Sequence, residues 1–533
     1  MLDERATTPA ERRVPNMVET VTGTNRSAGP TYQEYLDADS HPVRDILRVD
    51  SPMEPGPTLV PVERYFSREF HDLEVEKVWK RVWQMACHED DIPDVGDHLV
   101  YDIAHLSFLL VRTGPDEIKA YWNACLHRGK LLRANDGKWA KDLRCSFHGW
   151  CWNLDGTMKE VPCEWDFQYE EAQPERLSLP EVKVGRWQGF VFINPDLECE
   201  PLEDYLGDLE QHFTLLPYER RYKSAHVAKV LRCNWKVAQE AFSEAYHTVA
   251  THPQILEGLA DANTKYDVFG NYSRAISPQA TPSPHVNGLG PLEFDDVGLF
   301  TKLRHPLSGS VYERVEEGVV RVTTKGGKVG TFTEAGERID GEFGEADPNM
   351  CNWIGGKQLP DFESFPVPGW LGAPPEDGNL RAVAGEAERE NLRAKLGDAV
   401  EQISDAELLD AIYLTVFPNW HPWGSFNRIM YRFRPYGDDP DQCIHECMYF
   451  SPVPDGEERP PAAPIHWLGP DEDWVEAPEL GMLAKVFNQD VHNMPQVQAG
   501  LKTMRQPYVM FADYGETKIR HFHQLLNEWI EKD

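Results

Sequence analysis

Basic residues are in short supply: the 533-residue chain carries 53 Lys and Arg against 88 Asp and Glu, a formal charge of −35 at pH 7. Phosphate backbones are held by Lys and Arg, so this deficit excludes a general nucleic-acid binder. It equally opposes adsorption to anionic lipid. Long apolar runs are missing as well. Nothing approaches the roughly 20 apolar residues of a membrane span, LSFLLV at 106–111 being among the longer runs. The opening MLDERATTPAERRVPNMVET lacks the apolar core of a signal peptide, and a soluble, cytoplasmic protein is expected. Cysteine is sparse, with 10 in the chain, too few for a disulfide scaffold. Their spacing carries more information than their number.

Residues 1–60 are polar, rich in Pro, Thr and acids, and without periodicity, which predicts an arm or a strap over a neighbouring subunit. Phe70, Leu73, Val75, Val78, Trp79, Val82 and Trp83 recur near helical spacing, with Ser67 as N-cap. From His98 to about Pro195, short runs such as HLVYDI, SFLLVR and GFVFINP alternate with Gly, Pro and Asp, the text of a small antiparallel β-domain. Helices are predicted over Leu202–Leu216, Val237–Ala250 and Glu516–Asp533. Strands are predicted over 310–333, Tyr413–Phe417, Phe426–Arg434 and Cys443–Phe450. Residues 331–405 hold sixteen acids against six bases, read as an insertion plus a surface helix.

Two constellations carry chemistry. The first is Cys125-Leu-His127, then seventeen residues, then Cys145-Ser-Phe-His148. Two thiolates and two imidazoles admit a structural zinc or a [2Fe–2S] cluster with Cys on one iron and His on the other. Alternation of Cys and His in two matched loops suits the two-iron cluster better. The second constellation is Glu244, His247 and His252. Glu244 and His247, three apart, share a helix face. His247 and His252, five apart, do not, so joint metal binding requires a distorted helix, most simply a π-type bulge. Two imidazoles and a carboxylate form the facial triad of non-haem Fe(II) oxygenases.

Cys-x-His-x17-Cys-x2-His followed by Gly-Trp resembles the Rieske domain of the Rieske non-haem iron oxygenase large subunits, the aromatic ring-hydroxylating family. Asn234-Trp-Lys, Glu240, Phe242, an acid at 244 and Ala-Tyr-His resemble the catalytic helix of the same proteins. The resemblance implies an α+β fold, with a Rieske domain at 97–200 after a helical lead-in at 61–96. A helix-grip-like catalytic domain follows at 201–533, with the acidic insertion near 331–405. It implies that Cys125, His127, Cys145 and His148 hold a [2Fe–2S] cluster. It further implies that His247, His252 and Asp490, the last in FNQDVHNMPQVQAGL, hold a mononuclear Fe(II), Asp405 and Asp410 being weaker choices. Glu244, where most members carry Asp, would bridge His148 of one subunit to His247 of its neighbour. Glu there also marks a branch that includes quaternary-amine monooxygenases.

The resemblance therefore implies a terminal oxygenase using O2 and electrons from NAD(P)H through a reductase or ferredoxin. The subunits would form a homo-oligomer, usually a trimer. An aromatic or cyclic apolar substrate is the first expectation. Oxidation or demethylation of a quaternary amine or methoxy compound is the second, and a Rieske electron carrier without oxygenase activity is the reading from another class. The Arg128–Arg144 loop holds six bases and two acids, a patch suited to steering an acidic electron donor. Other signals are set aside: Gly326–Gly330 lacks the P-loop Lys-Ser/Thr, Cys443, His445 and Cys447 read as a strand with one buried face, Cys87-His88 has no second pair, and Trp420, His421 and Trp423 read as core.

Overall fold

The computed structural model describes residues 29–51, 56–173, 176–286, 299–360, 362, 379–454 and 456–532. The expected arm therefore lies outside the described residues over 1–28, and the expected insertion over 361 and 363–378.

Alternating apolar text pairs into a six-stranded antiparallel sheet in the order β1-β9-β8-β4-β3-β2. Its strands are β1 Gln84–His88, β2 His98–Ile103, β3 Leu106–Gly114, β4 Glu117–Trp122, β8 Glu181–Trp187 and β9 Phe190–Asn194. Three short strands, β5 Leu143–Arg144, β6 Cys151–Trp152 and β7 Met158–Glu160, form a second small sheet. Leu109, Val111, Tyr121, Leu143, Trp150 and Trp152 pack as one core beneath it. The helix predicted through Trp83 is shorter. α3, Arg68–Glu74, is capped by Ser67, whose Oγ accepts from Phe70 N at 3.3 Å, and a single π turn ends it at Trp79. β1 begins five residues later because Gln84–His88, buried throughout, completes the edge of the sheet.

The larger domain is built on an eight-stranded sheet in the order β11-β12-β18-β19-β20-β21-β10-β22. These are β10 Arg221–Leu231, β11 Lys265–Phe269, β12 Tyr272–Ser277, β18 Ala411–Val416, β19 Trp420–Pro422, β20 Ile429–Pro435, β21 Cys443–Pro452 and β22 His466–Leu468, and only β10 and β22 run parallel. α4 Trp235–Ala241, α8 Leu483–Leu501 and α9 Thr517–Glu531 pack against this framework. Phe190 and Phe192 of β9 meet Trp420 at ring-centroid distances of 5.2 Å, so the first domain covers part of the larger sheet. Cys443–Phe450 is consequently buried on both faces, not on one. His445 and Cys447 join one core cluster and Met448 and Phe450 the other. Glu446 is neutralised by Arg432 at 2.7 Å and Arg434 at 3.1 Å.

Strand text at 310–333 belongs to a separate five-stranded meander: β13 Lys302–Arg304, β14 Val311–Glu316, β15 Val319–Thr323, β16 Val329–Thr333 and β17 Arg338–Gly341. The added layer thus begins upstream of residue 331. Its inward residues Tyr312, Val320, Val322 and Phe332 pack with Met350 and Trp353 of α6, Pro348–Gly355, while Glu316, Arg321, Arg338 and Asp340 are exposed. Gly326-Gly327 forms a turn, Gly327 N donating to Thr324 O at 2.8 Å.

The described part of the opening arm folds onto its own chain. α1 Tyr32–Asp37 is capped by Thr31 and Glu34, and α2 is Asp45–Arg48. Leu36, Ile46 and Leu47 are buried, and Tyr32 donates to Asp410 at 2.9 Å. Asp410 also pairs with Arg381 at 2.7 Å, and Asp405 with Arg389 at 2.5 Å. Both weaker iron-ligand choices are thereby spent on structural ion pairs. α7, Leu380–Leu396, is the surface helix, with Arg389 its buried anchor.

Candidate metal centres

Two loops of matching backbone design carry the first donor set. Cys125 N donates to Lys130 O at 2.8 Å and Gly129 N to Cys125 O at 2.9 Å; Cys145 N donates to Trp150 O at 2.8 Å and Gly149 N to Cys145 O at 3.1 Å. Each loop closes on a glycine four residues after its cysteine, at φ 72° and 81°, a conformation that disfavours any Cβ. Both thiols are free and buried. Burial raises each thiol, while backbone N–H groups of His127 and Arg128 at Cys125, and of Phe147 and His148 at Cys145, favour thiolate; the net direction is up for Cys125 and down for Cys145.

His127 and His148 meet at a centroid distance of 4.6 Å, and His127 stacks on Trp150 at 5.0 Å. His127 Nδ1 is buried with no hydrogen-bond partner, the signature of a ligand atom whose acceptor is a metal. His148 is exposed. The donor set of two sulfurs and two nitrogens, with one orphaned nitrogen, fits a two-iron cluster.

The second set is assembled from two distant segments. α4 is capped by Asn234 and ends at Ala241, where Ser243 Oγ bonds Gln239 O at 2.8 Å. A four-residue helix, α5 Thr248–Thr251, follows. The single distorted helix expected over Val237–Ala250 is therefore two helices joined by a break, and Glu244 lies in the break. It still meets His247, because Oε2 accepts from His247 N at 2.9 Å and Oε1 faces Nδ1 at 2.6 Å. His252 follows α5 directly, and Pro253 opens the next turn.

α8 brings Asp490 opposite these two histidines. Asp490 Oδ1 lies 2.9 Å from His252 Nε2 and 3.7 Å from His247 Nε2. Among the described residues, His247, His252 and Asp490 form a group whose ligand atoms all lie within 4.8 Å of one another. Each imidazole has its other nitrogen occupied. His247 Nδ1 faces Glu244, and His252 Nδ1 donates to Gln489 Oε1 at 2.8 Å, which fixes both Nε2 lone pairs toward the centre. Gln489 is held in turn by Asn349 O at 3.0 Å and Gln254 at 2.7 Å, so α6 of the added layer supports the site. Gln498 ties α8 to the start of α4 by accepting from Asn234 N at 2.9 Å. Burial opposes charge on His247, but Glu244 and then Asp490 outweigh it and hold this imidazolium up to about 9 in the iron-free chain.

Gln489 carries no signal in the sequence. It precedes a ligand and points about 100° away on the helix, and no motif announces it. Of the basic loop, Lys138 is committed to Asp97 at 3.0 Å and Arg144 to Glu160 at 2.7 Å, and Arg133 holds backbone carbonyls. Arg128, Lys130 and Lys141 remain exposed.

A cluster-type Cys–His loop pair and a buried two-His, one-carboxylate site on one chain define an iron–sulfur protein with a second, non-haem metal centre. Residues 82–170 match the family described as Rieske [2Fe-2S] domain, and residues 216–292 and 363–532 match the ring hydroxylating alpha subunit (catalytic domain). The chain belongs to the Rieske non-haem iron oxygenase large-subunit family. Residues 293–362, which hold the five-stranded meander and α6, fall between the matched stretches.

The chain is 30% identical over 211 residues to the biphenyl dioxygenase subunit alpha of Metapseudomonas furukawaii, covering 37% of this chain and 45% of that one. It is 32% identical over 195 residues to the large oxygenase component of the Pseudomonas putida naphthalene 1,2-dioxygenase system, covering 35% and 43%. It spans about half the length of the curated relatives it matches. In fold it is similar to naphthalene 1,2-dioxygenase with indole bound (TM-score 0.54, 18% identity, 90% of this chain, 94% of that one). It is likewise similar to a quaternary ammonium Rieske monooxygenase (TM-score 0.53, 15% identity, 91% and 100%). No helix among the described residues is long and apolar enough to cross a membrane.

Proposed function

We propose that this chain is the terminal oxygenase of a multicomponent Rieske system, hydroxylating or dihydroxylating an aromatic or cyclic apolar compound. The observation that carries this reading is the convergence of His247, His252 and Asp490, each imidazole locked by its own partner. Cys125, His127, Cys145 and His148 would hold the cluster; His247, His252 and Asp490 would hold Fe(II). When bound, these groups supply single electrons and a place for O2 beside the substrate.

The protein's own part is positioning. Glu244 accepts a short hydrogen bond from His247 Nδ1, and Gln489 keeps His252 in the matching tautomer. Phe242 and Phe487, at a centroid distance of 5.6 Å, place apolar surface close to Asp490. Glu244 would also reach His148 of a second subunit in a closed head-to-tail ring, the arrangement expected of a homotrimer. A ferredoxin or an NAD(P)H-dependent reductase would dock near Arg128, Lys130 and Lys141. Glutamate at 244 favours a second reading, monooxygenation of a quaternary amine.

Metal analysis with turnover tests both. About three irons and two labile sulfides per chain, with O2 uptake coupled to an oxygenated ring product, are expected. Two irons would leave an electron carrier and zinc alone a structural metal protein; turnover of betaine-like amines alone would reverse the substrate order.

A further inference from the structure

A cavity of about 530 Å3 opens beside α8, the helix that carries Asp490. That volume suits a one- or two-ring ligand. Leu483 and Val486 of α8 form one wall, and Ile429 and Tyr449, cross-strand partners on β20 and β21, form another. Val486 precedes Asp490 by four residues, about 6 Å along the helix axis. On the sheet side, Tyr431 lies two residues beyond Ile429 on the same face. Its ring reaches Phe242 at 5.2 Å and Phe487 at 5.7 Å. Tyr431 and Phe487 are themselves buried, so this apolar packing is continuous behind the cavity wall.

The lining is also unusual in charge. In a chain of −35, its charged residues are Lys395 and Arg428, and no Asp or Glu belongs to it. Arg428 lies over the Tyr449 ring, 4.1 Å from the centroid. Among the described residues neither cation is in an ion pair. Such a mouth favours an anion and opposes a quaternary ammonium.

We propose that the cavity admits an apolar ring compound bearing an anionic group, a carboxylate or sulfonate. The anion rests at Lys395 and Arg428, and the ring packs against Ile429, Leu483 and Val486. The inference rests on the oxygenase reading for the ligand's destination; the binding preference stands by itself.

Equilibrium dialysis of the iron-loaded protein with naphthoate, the neutral naphthamide and a naphthylmethyl-trimethylammonium ion tests it. Naphthoate is expected to bind at least about tenfold more tightly than the amide, and the ammonium ion most weakly, with the naphthoate advantage shrinking in salt. A Lys395→Glu, Arg428→Glu double variant should abolish that advantage while amide binding changes less than about twofold, which also reports that the variant is folded. A Leu483→Trp variant, filling the cavity, should weaken all three. Equal binding of naphthoate and amide, or a preference that survives charge reversal, overturns the proposal. Iron content and cluster absorbance of the same preparations separate it from the oxygenase reading: their absence sinks that reading while the anion preference is still read directly.

Discussion

Twenty residues separate Cys125 from Cys145, whereas 238 separate His252 from Asp490. The first pair needs little more than two local turns. Backbone bonds within six residues aim each cysteine, glycines at positive φ permit the turn, and both histidines ride on the loops. The second site needs the whole larger domain: a sheet to carry α4 and α8, Gln498 to link them, and Asn349 from the added layer to hold Gln489. A locally encoded site tolerates sequence drift around it, while a globally assembled one transmits packing errors from far away into ligand geometry.

The sharpest way to break that comparison is to remove one ligand from each region. Asp490→Ala should lower iron from about three to about two atoms per chain and turnover by about a thousandfold or more, leaving cluster absorbance intact. Cys145→Ala should bleach the cluster and spare the third iron. Loss of both centres from either variant would show that the two regions fold as one unit.

The buried polar layer behind α4 belongs to the global design and titrates accordingly. Burial pushes Glu240 up to about 8, against the pull of the Tyr65 hydroxyl and the charges of Lys236 and Arg64. Its carboxylate lies 2.9 Å from His523 Nε2. Between the ordinary carboxylate range and about 8, the folded chain keeps a proton that the unfolded chain has released. Stability therefore falls as pH rises through that window and levels off above it. At most about 5 kcal/mol is at stake. Denaturation midpoints from about pH 5 to pH 8 should decline less steeply in Glu240→Gln than in the parent; parallel slopes would remove Glu240 from the account.

Gln489→Leu addresses the support of the iron site without touching a ligand. Losing the acceptor for His252 Nδ1 should cost about 10- to 100-fold in iron affinity or activity, read by metal retention against a chelator. A neutral outcome would place the orientation of His252 elsewhere.

These contrasts also explain what the sequence could disclose. The Cys–His loops are legible because their ligands and glycines sit within a few residues of one another. The two histidines were recognisable, yet the shape of their helix was not. The break after Ala241 follows from Ser243 turning back on Gln239 and Glu244 capping His247, side-chain choices that periodicity does not register. Strand text at 310–333 shows the element but not the sheet it joins, since period 2 reports a half-buried face and not which partner covers it. The arm at 29–51 looked unstructured because its burial is won by a few residues, Tyr32, Leu36, Ile46 and Leu47, spread too thinly for a pattern.

The smallest effect tests whether the two cluster loops are as alike as their hydrogen bonds. Gly129 and Gly149 occupy corresponding positions at similar positive φ, so alanine at either should cost about 1 kcal/mol in backbone strain. Their surroundings differ. A Cβ at Gly129 would meet nothing within 4 Å, whereas one at Gly149 would sit 3.2 Å from Pro162 Cγ. Gly149→Ala should therefore lower the midpoint for thermal loss of cluster absorbance more than Gly129→Ala, the excess reporting how far Pro162 can yield. Equal shifts would mean that backbone strain alone governs the loops, and a larger shift at Gly129 would mean that the cluster leans on the first loop in a way the matched hydrogen bonds do not reveal.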